Sequence, residues 1–173
     1  MQRDDEFGRL FEKNHYLCAT MLSKKAKYAL HACVGLARAP IGQTVLIADL
    51  AHQERVPKKF LEIILLELRN AGILASRKGK GGGYSLARPA RQITVGQIVR
   101  IIDGPLAPVP CVSQTAYRRC DECLDENSCG LRMVMKDARD ALAGVLDTAT
   151  LENVIEREDN ARAVGRGGGD WVI

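Results

Sequence analysis

Between Ile73 and Leu86 the chain reads ILASRKGKGGGYSL, with glycine at four of the five positions from Gly79 to Gly83. Such a run cannot continue a helix, because each interior glycine costs about 1 kcal/mol relative to alanine. It can make a tight reversal, so the two short apolar pieces that flank it are predicted to pair as a β-hairpin. Arg77, Lys78 and Lys80 crowd the same turn. A plain surface turn accounts for the glycines but not for the cations. The string is not a phosphate loop either, since it lacks the GxxxxGK[ST] order and does not open a helix.

The residues before the hairpin are patterned for helices. Ser23 is placed to cap a helix from Lys24 to about Arg38, with Ala26, Ala29, Leu30, Cys33, Leu36 and Ala37 on one face. A second, shorter helix is predicted from Ile47 to Gln53, with Ile47, Leu50 and Ala51 inward. After the turn Glu54-Arg55-Val56, Pro57 suits the first position of a third helix, where no N–H is needed. That helix runs to about Ala71, with Phe60, Leu61, Ile64, Leu65 and Leu68 inward and Gly72 as its cap. Beyond the hairpin, Thr94 and Gln97 form a capping box, with Ile93 and Ile98 as a hydrophobic staple, for a fourth helix from Val95 to about Ile102. Hydrophobic residues make up 46% of the chain and aromatics only 5%, so the core is expected to be aliphatic.

Two helices joined by a tight turn and followed by a basic hairpin describe a winged helix–turn–helix, a fold that places its second helix in the DNA major groove. Here the exposed start of that helix carries Pro57, Lys58, Lys59, Phe60 and Glu62. Glu62 can accept from a cytosine amino group, or it can pair with Lys58 or Lys59 within the helix. Arg77, Lys78 and Lys80 would neutralise phosphates or enter the minor groove. Lys24, Lys25 and Lys27 are expected to touch the phosphate backbone. Charge is distributed accordingly: residues 23–100 hold 14 Lys and Arg against 4 Asp and Glu, while the rest of the chain is acidic. A basic block of this kind fits double-stranded DNA as partner, although a solvated surface would read the same way.

The chain has six cysteines, and Cys111, Cys120, Cys123 and Cys129 fall within 19 residues as C-x8-C-x2-C-x5-C. No run approaches the roughly 18 apolar residues of a membrane span. The first 20 residues lack the apolar segment of a secretory signal, so a cytoplasmic location is expected. In a reducing compartment four clustered thiols point to a metal rather than to disulfides. Thiolates suit an iron–sulfur cluster or zinc. The Cys120–Cys123 pair also admits thiol–disulfide chemistry, but no βαβ unit surrounds it. Cys33, on the inward face of the first helix, reads as a core thiol.

A long helix is predicted from about Ser128 to Leu146, with Leu131, Val134, Met135, Ala138, Ala141, Leu142 and Val145 in one stripe that must pack on the core or on a second copy. Thr150 is placed to cap a last helix from Leu151 to about Arg157. The expected organisation is an extension over residues 1–20, disordered or preceding a natural start at Met21. A winged helix–turn–helix domain follows over 21–104, then a cysteine-rich loop over 105–129, dimerisation and C-terminal helices over 130–157, and a disordered tail over 158–173. The fold class is mainly α.

From Met21 to about Glu156 the chain resembles the Rrf-type winged-helix regulators, the IscR-, NsrR- and RirA-like family. The resemblance rests on MLSKKAKYAL, VPKKFLEIILLELRNAGIL, RKGKGGGYSLARP and TVGQIVRIIDG, together with the cysteine loop and the helix after it. It implies a homodimer built by the long helix, a palindromic operator, and a [2Fe–2S] or [4Fe–4S] cluster whose state tunes DNA affinity. It also implies that Cys111, Cys123 and Cys129 correspond to the family's three loop cysteines and that Cys120 is extra. Some relatives take a fourth ligand from a histidine where this chain has Arg132, others from an acid where it has Tyr28, so Cys120 is a candidate fourth ligand. Glu62 matches a base-reading position of the family, whereas Lys58 and Lys59 replace shorter or apolar residues.

Overall fold

The computed structural model describes residues 22–167 apart from 41, 80 and 122. The expectations for residues 1–20 and for Lys80 lie outside the described residues. Among the described residues there are six helices and one two-stranded antiparallel sheet.

Helix α1 (Lys24–Ala37) starts where Ser23 Oγ accepts from the Ala26 N–H at 3.0 Å. Its inward face is small: Ala26, Ala29, Ala32 and Cys33 are fully buried, which lets neighbouring helices approach closely. Helix α2 (Ile47–Gln53) contributes Leu50 to the core. The following turn holds Arg55 at φ 54, a left-handed conformation that turns the chain within one residue. Helix α3 (Lys58–Asn70) has Pro57 just outside it rather than as its first residue, and buries Leu61, Ile64, Leu65 and Leu68. Phe60 was expected to face inward. Instead it is 40% exposed and stands edge-on to Tyr28, with ring centroids 5.8 Å apart. Gly72, at φ +74, ends α3 while the Ile73 N–H reaches back to the Leu68 carbonyl at 2.9 Å.

Strands β1 (Leu74–Arg77) and β2 (Gly83–Leu86) pair in register from Leu74 opposite Leu86 to Arg77 opposite Gly83. The hairpin is fastened to the segment before α2, since Val45 and Tyr84 exchange backbone hydrogen bonds of 2.8 and 2.9 Å. Helix α4 (Val95–Asp103) carries the predicted capping box in full, and both staple residues, Ile93 and Ile98, are fully buried. Asp103, at its end, accepts the Ser23 N–H at 2.8 Å, so the start of α1 and the end of α4 are tied together.

A loop then leads to α5 (Gly130–Thr148), which has no buried residue. Its expected apolar stripe lies open: Leu131, Val134 and Val145 are 66%, 59% and 62% exposed. Helix α6 (Leu151–Gly167) re-enters the core through Leu151, which is fully buried. The α5–α6 junction is stitched to the start of α4 by hydrogen bonds from Val95 N to Ala149 O and from Leu151 N to Ile93 O. The sequence placed the end of α6 near Arg157 and a disordered tail from residue 158. The helix in fact continues to Gly167, and Arg38 of α1 binds both Glu158 and Asp159 on it at 2.8 Å.

Candidate nucleic-acid interface and metal centre

The start of α3 is open to solvent, because the chain enters it through an exposed Pro57; Lys58 and Lys59 are exposed there. Lys58, Glu62 and Arg69 recur at helical spacing and share a groove of about 500 Å³ with Ser76, Arg77 and Lys78 of the hairpin. Of the predicted cations, Lys58, Arg77 and Lys78 are thus brought to one surface, while Lys59 does not line the groove. Arg69 and Ser76 were missed, although Arg69 follows Glu62 by two turns and the period of α3 makes that legible. Among the described residues Glu62 takes no part in an ion pair like that of Glu67 with Lys25. Among the described residues that line the groove it is the one acid beside four cations.

The hairpin glycines divide into two kinds. A Cβ on Gly83 would lie 2.3 Å from the Val45 carbonyl oxygen, and one on Gly82 would lie 2.5 Å from that of Arg77, so both are required by close backbone approach inside the wing. Gly79 and Gly81 meet nothing and form the exposed tip. Thr44 Oγ1 donates to the Gly81 carbonyl at 2.8 Å and steadies that tip. On α1, Lys24 and Lys27 are exposed, but Lys25 is engaged by Glu67 at 2.5 Å, which joins α1 to α3.

The other candidate site is the cysteine loop. Cys111 sits in a short 3₁₀ turn, Pro110–Val112, anchored by the buried Val112. The Cys123 N–H donates to the Cys120 carbonyl at 3.2 Å and closes the C-x2-C turn. Asp125 accepts the N–H groups of Asn127 and Ser128 at 3.0 and 3.1 Å, which leads Cys129 to the start of α5; hydrogen bonding from the Ser128 side chain, and then from the Asn127 N–H, holds the Asp125 carboxyl below its ordinary range. Arg132 Nε donates to the Cys111 carbonyl at 3.3 Å, and Arg139 Nη1 to that of Val112, so α5 grips the first cysteine's segment twice.

All four cysteines line one cavity of about 420 Å³. Partial burial pushes the Cys123 thiol up, neighbouring Cys129, Glu126 and Cys111 add to the effect, and Arg119 opposes it. Among the described residues no three His, Cys, Asp or Glu side chains are gathered closely enough to hold a metal ion as they stand. The chemistry of the donor set nevertheless suits a thiophilic centre: four sulfur donors line one cavity in a mostly exposed loop. Cys33 is different in kind, fully buried with its thiol pushed up to about 12 by that burial. Among the described residues no helix is long and apolar enough to cross a membrane.

Comparison with known proteins places these two sites in context. Residues 22–157 match the model of the Rrf2 family, described as an iron-dependent transcriptional regulator. An rrf2-like HTH-type transcriptional regulator of Rhodobacter capsulatus is 43% identical over 138 residues, covering 78% of this chain and 92% of that protein. Among solved structures, the global cysteine regulator CymR of B. subtilis superposes with a TM-score of 0.66 at 30% identity, over 79% of this chain and 96% of its own. IscR of T. potens superposes with a TM-score of 0.64 at 26% identity, over 81% and 89% respectively.

Proposed function

The chain belongs to the Rrf2 family of transcriptional regulators, and from that premise we propose that its affinity for operator DNA is set by a metal centre, an iron–sulfur cluster, in the cysteine loop. As a member of that family it regulates transcription and is not an enzyme, so the thiol–disulfide reading of Cys120 and Cys123 falls away. The observation that carries the proposal is the convergence of four thiols on one cavity whose first cysteine is braced by α5.

In this reading Lys58, Lys59, Arg77, Lys78 and Lys80 neutralise phosphates, with Lys24 and Lys27 extending that contact along α1. Pro57 and Phe60 set the approach of α3, and Glu62 reads a base edge. Lys25 supports α3 through Glu67 rather than touching DNA. The exposed stripe of α5 joins two copies, giving a homodimer with half-sites about one helical turn apart. Cys111, Cys123 and Cys129 hold the cluster, and Cys120 supplies a fourth thiolate from within the same subunit. The cluster would bring electron exchange and sensitivity to oxidants. The residues' part is to bind it, shield it and pass its presence to α5.

The test is anaerobic purification with an absorption spectrum and iron and sulfide analysis, followed by operator binding with loaded and stripped protein. A brown protein whose affinity differs at least fivefold between the two forms, a coupling of about 1 kcal/mol, is expected. Equal affinities would refute it. A second reading is a zinc-stabilised regulator without redox sensing, favoured by the all-sulfur donor set, which suits tetrahedral zinc equally well. A colourless, zinc-containing protein would select it.

A further inference from the structure

The cavity that gathers the thiols is also ringed by guanidinium groups. Among the described residues Arg118, Arg119 and Arg132 line it with one acid, Asp121. Two of these cations are fixed by neutral acceptors. Arg132 Nε donates to the Cys111 carbonyl at 3.3 Å, and Arg119 Nη2 to the carbonyls of Cys123 and Leu124 at 3.1 and 3.5 Å. Glu126, in the same loop, accepts a hydrogen bond from the Tyr117 hydroxyl. A guanidinium that hydrogen-bonds to a carbonyl keeps its full charge, whereas one bound to a carboxylate is largely cancelled.

We propose that Arg119 and Arg132 are charge-balancing, positioning residues of an anionic thiolate centre, and that they raise its affinity for an electron. The inference rests on the reading of the cysteine loop as a metal site. Four thiolates around a divalent metal, or around a [2Fe–2S]²⁺ core, carry a net charge of about −2, and adding one electron makes it −3. Fixed positive charge favours the more negative state. Both arginines hold carbonyls of ligand-bearing segments, so each places its charge and the peptide of a cysteine together.

Reductive titration of the reconstituted full-length protein with dithionite tests this. One electron passes from dithionite to the cluster, no bond to the protein forms or breaks, and the centre becomes more negative by one charge. Arg119→Gln and Arg132→Gln keep an amide donor but remove the charge; each is expected to weaken one-electron reduction about tenfold, a midpoint lower by about 59 mV. Arg119→Lys and Arg132→Lys are expected to stay near the wild-type midpoint. Glutamine variants with intact cluster absorbance and wild-type midpoints would overturn the proposal. Co²⁺ binding to the cluster-free protein, read from thiolate charge-transfer absorbance, supplies an arm that does not depend on iron. The glutamine variants should bind Co²⁺ about tenfold more weakly and the lysine variants near normally, and equal affinities or no Co²⁺ binding by the wild type would overturn it. Absence of iron and sulfide from the wild type would instead sink the iron–sulfur reading, while the Co²⁺ arm still decides the role of the arginines.

Discussion

Glu62 is a carboxylate among the cations of the recognition groove. Repulsion of phosphate makes an acid there a cost to affinity, which supports the proposal that Glu62 selects a base. Glu62→Ala is expected to bind DNA at least as tightly as the parent while losing about 1–3 kcal/mol of discrimination at one base pair, measured by competition with single-substituted operators. Lys58→Ala should weaken all sequences alike and flatten the salt dependence by about one counterion. The thiols separate just as sharply. Cys33, buried and with its thiol pushed up to about 12, should resist iodoacetamide at neutral pH in the folded, metal-free protein, while Cys111, Cys120, Cys123 and Cys129 are alkylated. Mass mapping of the adducts checks this. Most of these identities were legible from spacing: the role of Cys33 follows from its place on the apolar face of α1, and the cysteine loop from C-x8-C-x2-C-x5-C. Lys25 was not, because its partner Glu67 lies 42 positions away, and no local pattern reports a contact between two helices.

Elements show where local chemistry suffices and where packing decides. The capping box and staple of α4 appear as read, since both are contacts within a few residues of one another. The wing also forms as read, yet the reason for Gly83 is the carbonyl of Val45, which the hairpin alone does not contain. Gly83→Ala should therefore displace the hairpin from the segment before α2, cost about 1–3 kcal/mol of stability, and lower DNA affinity, as measured by thermal unfolding and operator titration. The sequence reading did not reach the full length of α6, nor the ion pairs that Arg38 makes with it. A similar pair joins α4 to α5, where Arg100 Nη2 binds Asp147 at 2.8 Å and holds its carboxyl below the ordinary 3.8. A depressed carboxyl stabilises the fold above its unfolded pKa and ceases to do so as pH falls through the lower folded value. The stability difference between the parent and Asp147→Asn should accordingly be full at neutral pH and fade on acidification below about pH 4, in denaturant titrations at stepped pH.

For the whole molecule, the largest unmet demand is the open apolar face of α5. The sequence left two ways to cover that stripe, the chain's own core or a second copy, and the core of one chain is already filled by Leu50, Leu61, Ile64, Leu65, Leu68 and Leu151. Val134→Glu is expected to shift the protein from dimer to monomer in sedimentation velocity. It should also abolish tight binding to a two-half-site operator, while leaving weak single-half-site binding. A variant that stayed dimeric would place the interface elsewhere. The helix behind that face is held near its start by Arg132 and at its middle by Arg139, both on the Cys111 segment, and beyond its far end by Ala149 and Leu151 on residues 93–95. A rod pinned at several points passes on torque instead of absorbing it. Tightening or slackening of the cysteine loop would therefore reach the wing-bearing body through α5, the one helix among the described residues tied to both.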